Sequence, residues 1–118
     1  MREVFGGART VVLTVRNLAR SRKWWVERLG FSALSERAGR EVVVNLGNFR
    51  LRLEQADDAR PFRGAGAAVV FRVRNLERTA KELDERGVAY EERQGPRDGA
   101  WLETGDPDGW RVVFVERI

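Results

Sequence analysis

The chain has 118 residues, with 22 Lys plus Arg against 18 Asp plus Glu, and neither His nor Cys. One domain of this size buries an ordinary core without staples, and a chain without cysteine has no disulfide and no thiol nucleophile. No apolar run nears the roughly 20 residues of a membrane span, and the opening MREVFGGART has no signal-peptide core, so a cytoplasmic protein without membrane contact is expected. The basic excess is almost all arginine, with only two lysines, and is interleaved with carboxylates in EERQGPRD and ELDERG. Such spreading argues against a nucleic-acid patch.

Gly6 and Gly7 read as a flexible entry to a first strand. That strand alternates Val11, Leu13 and Val15 against Thr10, Val12 and Thr14, the period-2 pattern of a sheet with its more apolar row under a helix. Asn17 is placed to cap a helix whose buried stripe is Leu18, Trp25 and Leu29 and which Gly30 ends. Trp24 and Trp25 are expected to pack in the core or at an interface. Extended runs FSALSERAG, REVVVNLG and FRLRLEQ follow. The segment ADDARPFRGAG, rich in Gly with one Pro and no periodicity, reads as a linker.

The pattern then starts again. A strand alternates Val69, Phe71 and Val73 against Ala68, Val70 and Arg72, and Asn75 caps a helix striped by Leu76, Ala80 and Leu83 and closed by Gly87. VAYEERQG, AWLETG and WRVVFVERI complete the chain. The two halves share V-R-N-L-x-R, with Val15 and Val73 58 positions apart. Each half is strand, helix, strand, strand, strand, and neither covers its own sheet alone.

VRNLARSRKWWVERLGF, VRNLERTAKELDERGV and above all DPDGWRVVFVE make the chain resemble the glyoxalase/bleomycin-resistance/extradiol-dioxygenase superfamily, also called vicinal oxygen chelate. The resemblance implies an α+β fold of tandem βαβββ modules, a curled mixed sheet around a U-shaped cavity with the helices outside, usually in a homodimer. A single domain over 1–118 is expected, with module one at about 8–55, a linker at 56–66 and module two at about 67–118. In metal-dependent members a ligand sits early in the first strand and late in the last strand of each module. Those places fall here on Thr10, Ala68, Arg52 and Val113, the third with an uncertainty of one residue. A hydroxyl, a methyl, a guanidinium and an isopropyl cannot hold a transition metal, so no metal, no cofactor and no catalytic residue is expected.

The inward rows then comprise Thr10, Val12, Thr14, Arg50, Arg52, Val70, Arg72, Trp101, Glu103, Arg111, Val113 and Val115. Trp101 is the candidate stacking platform for a planar ligand. Arg52, Arg72 and Arg111 are candidate anchors for an acidic group, unless Glu103 or Glu54 satisfies them internally. Trp110 is a candidate for a half-exposed rim, or packs in its hairpin. Thr10 and Val113 complete the candidate lining.

The favoured reading is a metal-free bacterial protein of the bleomycin-resistance-like branch, acting in antibiotic resistance by sequestering an aromatic, in sharper form anionic, natural product or drug. A charge of +4 speaks against cationic bleomycin itself. Alternatives are an enzyme of lyase, isomerase or dioxygenase type using Glu54, Glu103 or Glu116, and a regulatory or assembly module with a closed cavity and Arg52–Glu pairing.

Overall fold

The computed structural model describes residues 9–64, 66–95 and 99–116; Gly6 and Gly7 lie outside them. The chain divides into two compact units, 1–62 and 63–118. In the first, the order is β1 (Thr10–Val15), α1 (Leu18–Arg22), a π-helical segment (Lys23–Arg28), β2 (Ser32–Arg37), β3 (Glu41–Asn45) and β4 (Arg50–Gln55). In the second it is β5 (Ala68–Arg72), α2 (Leu76–Glu85), β6 (Glu91–Gly95), β7 (Gly99–Gly105) and β8 (Arg111–Val115). Each unit is thus βαβββ, as the repeat predicts.

Each unit forms a four-stranded mixed sheet, ordered β1-β4-β3-β2 and β5-β8-β7-β6, in which the first strand runs parallel to the last and the others pair antiparallel. Thr10 pairs with Arg50 and Ala68 with Arg111. Because Thr10 and Ala68 are repeat mates, this register makes Arg52 and Val113 equivalent and removes the one-residue uncertainty in the first unit. One face of sheet one is apolar, with Leu13, Val15, Val42, Val44, Leu51 and Leu53 all buried. Its counterpart in sheet two carries Val69, Leu102, Val112 and Phe114, and the Phe71 and Phe114 rings stack at 5.4 Å. These rows take the helices, as alternation requires.

Both helices start as expected. The Asn17 side-chain oxygen accepts from the Arg20 amide, and that of Asn75 from the Arg78 amide, each at 3.0 Å. A second device repeats too: the Leu18 amide donates to the Gln55 side chain, and the Leu76 amide to the Glu116 carboxylate, both at 2.8 Å. Gly87, at φ 71°, ends α2 with the crossed bonds of a Schellman motif, Val88 to Leu83 and Gly87 to Asp84, a conformation that favours a residue without Cβ.

The first helix departs from expectation. After five α-helical residues it widens, and the Leu29 amide donates to the Trp24 carbonyl five residues back. This π-type turn shifts the stripe: Leu18, Ser21 and Trp25 are buried, while Leu29 is half-buried. Trp25 is fully enclosed, and half-buried Trp24 meets it edge to face at 5.0 Å.

Candidate functional site

The face of each sheet opposite the apolar row is the candidate surface. In the first unit it carries Thr10, Val12, Thr14, Arg50, Arg52 and Glu54, flanked by Glu41, Val43 and Asn45 through the β3–β4 ladder. Arg52 does not stand free. Its Nη1 lies 3.5 Å from Glu54, and Glu54, largely buried, also faces Arg60 at 3.3 Å. The Nε of Arg52 is buried without a hydrogen-bond partner. Thr10 and Arg50 are exposed.

In the second unit the open face is a lattice of three cross-strand rows. The first runs Arg72, Val115, Trp101, Arg93; the second Val70, Val113, Glu103, Glu91; the third Ala68, Arg111, Gly105. Trp101 lies on this face because Leu102, only 1% exposed, takes the apolar side opposite Phe114. The half-buried indole rests against Gly95, where an added Cβ would stand 3.1 Å from its Cζ3. A bare backbone is therefore the shelf on which the ring lies.

Glu103 fixes the ring from the other side. Its carboxylate accepts from the Trp101 Nε1 at 3.2 Å and from Arg111 Nε and Nη2 at 3.1 and 3.0 Å. These bonds, Arg111 first and Trp101 second, hold the Glu103 carboxyl below the usual carboxylate range, and the Arg111 guanidinium is raised in turn. Beside this pair lies a concavity of about 550 Å³, reaching Tyr90 and Thr104, and the phenol of Tyr90 is pushed up by burial and by its bond to Asp84. A second, of about 640 Å³, adjoins Trp101, Arg93 and Gln94.

The sequence-predicted residues thus separate. Trp101, Glu103, Arg111, Val113 and Arg72 share one face of sheet two, with Val113 buried as its floor between Val70 and Glu103. Thr10 and Arg52 share the corresponding face of sheet one. Of the two readings of Trp110 the structure has hairpin packing: the residue is 6% exposed and stands in the apolar row before Val112, not at a half-exposed rim. The cause is the turn, in which the Asp106 side chain accepts from the Asp108 and Trp110 amides, both at 2.9 Å. Glu116 caps α2 and is committed there. Sequence reasoning missed Gly95, although its alternation with Glu91 and Arg93 opposite Trp101 was the signal.

The places where the resemblance puts metal ligands carry the hydroxyl of Thr10 and the guanidinium of Arg52 in the first unit, and the methyl of Ala68 and the isopropyl of Val113 in the second. The first pair offers one oxygen donor beside a cation and the second no donor, so neither fits a transition metal. Among the described residues, no three acidic, His or Cys side chains gather as an alternative.

The chain has no sequence match among the curated proteins. Solved structures share the fold. A lactoylglutathione lyase from Agrobacterium tumefaciens superposes with a TM-score of 0.77 at 14% identity, over 94% of this chain and 93% of that one. TnmS3, an antibiotic binding protein from a Streptomyces species, gives 0.78 at 20%, over 97% and 98%. A glyoxalase family protein from Enterococcus faecalis gives 0.76 at 23%, over 96% and 99%. The model of the Glyoxalase/Bleomycin resistance protein/Dioxygenase superfamily matches residues 7–114. The chain therefore belongs to that superfamily.

Proposed function

We propose that the protein binds a small planar aromatic molecule without a metal, as a member of the bleomycin-resistance-like branch, and sequesters it without chemical change. The observation that carries this reading is Trp101: a half-buried indole, laid on Gly95 and held by Glu103, with Val115 opposite it and Val113 in the next row. A ring stacked on it gains about 0.5–1.5 kcal/mol beyond the area it buries. Sequestration needs affinity and no Lewis acid, so the donor-poor set at Thr10, Ala68, Arg52 and Val113 costs it nothing. The antibiotic-binding neighbour suggests a ligand class, antibiotics, and with it a role in resistance. A cytoplasmic homodimer is the form in which we expect it to act.

The test is a titration of tryptophan fluorescence with anionic, neutral and cationic planar aromatics, in buffer with EDTA, for wild type and Trp101→Phe. Saturable quenching that the chelator leaves intact and the variant loses supports the proposal. No quenching by any compound overturns it.

A second reading, a regulatory or assembly module, draws on the Arg52–Glu54 pair, which satisfies that guanidinium in part without any ligand. It predicts no saturable response in the same titration.

A further inference from the structure

Three arginines share the open face of sheet two with Trp101, and they are not equivalent. Arg93 ends on Glu91 at 2.6 Å, and Arg111 grips Glu103 with two nitrogens. The exposed Arg72 has no ion-pair partner among the described residues. It also lies in the same cross-strand row as the indole: Arg72 pairs with Val115, and Val115 with Trp101. Two strand spacings set their Cα atoms about 10 Å apart, with one half-buried valine between them. An aromatic ring over Trp101 and Val115 would direct a substituent on its long axis toward the guanidinium.

We propose that Arg72 is the specificity-determining residue of this face, taking the carboxylate of a planar aromatic acid while Trp101 stacks on its ring. The inference rests on the binding reading above and narrows its ligand class. A guanidinium offers two parallel N–H donors that match a carboxylate, and it forms no equivalent charged pair with an amide. Arg111 cannot take this part without surrendering Glu103, and with it the bond that orients the indole.

Calorimetric titration of 2-naphthoate and 2-naphthamide separates the two claims. For wild type the acid should bind roughly tenfold tighter than the amide, a difference of about 1.4 kcal/mol. Arg72→Gln should bring the two probes to equal affinity. Arg72→Lys should keep part of the preference, and unchanged melting would show that both variants fold. Equal affinities in wild type, or a preference that survives Arg72→Gln, overturns the role of Arg72 while binding of the amide leaves the parent reading standing. Binding of neither probe overturns both.

Discussion

The indole nitrogen of Trp101 donates to a Glu103 oxygen at 3.2 Å, and that same oxygen accepts from Arg111 at 3.0 Å. The carboxylate thereby couples a ring to a cation across two strands. Truncation by Glu103→Ala should free the indole to rotate and should weaken binding of 2-naphthamide by about tenfold, since an unrestrained ring pays ordering entropy on stacking. Titration calorimetry of the variant beside wild type checks this.

The same group sets a pH dependence. The Glu103 carboxyl titrates below its unfolded value, because Arg111 first and Trp101 second bond its ionised form. Its contribution is therefore complete above the unfolded value and is lost as pH falls through the folded one. Affinity for the neutral amide should be flat above the ordinary glutamate range and fall only as pH drops through the lowered folded value. Glu103→Gln should lack this acid limb, read from titrations across the range.

Gly95 is predicted to matter through space alone. Its φ is not positive, so a side chain meets no backbone strain, but a Cβ would press the indole at 3.1 Å. Gly95→Val should tilt Trp101 off its shelf and lower affinity several-fold. Stability should change by less than about 1 kcal/mol, because an edge strand accepts a β-branched residue. Denaturant melts beside titrations distinguish the two effects.

Adjacent tryptophans on the first helix should behave oppositely. Trp25 is fully enclosed against Phe31, whereas Trp24 is half-exposed and only edges onto it. Trp25→Ala should cost about 3–5 kcal/mol, the range for deleting a buried large aromatic. Trp24→Ala should cost far less, by urea unfolding.

Much of this architecture was legible because it is written in alternation and caps. Val11 to Val15 and Val69 to Val73 declare their strands, and Asn17 and Asn75 declare helix starts. The shared face of Trp101 and Glu103 follows from Leu102 between them being apolar. What stayed hidden depends on neighbours distant in sequence or on backbone detail. Nothing local announces that Lys23 to Arg28 winds as a π-turn, or that Gln55 and Glu116 reach back to helix starts 37 and 40 residues away. Which carboxylate each arginine chooses is likewise set by register: Arg111 meets Glu103 diagonally across β7 and β8, while Arg72 at the far end of its row meets none among the described residues. For Trp110 the sequence left rim and hairpin packing open; the Asp106 cap turns it into the apolar row.

The most direct test follows the indole N–H signals of the four tryptophans by ¹H–¹⁵N correlation, during addition of 2-naphthoate with EDTA present. The peak absent in Trp101→Phe should move saturably while those of buried Trp25 and Trp110 hold still. Movement confined to the other peaks, or movement that requires added zinc, would contradict metal-free binding at Trp101.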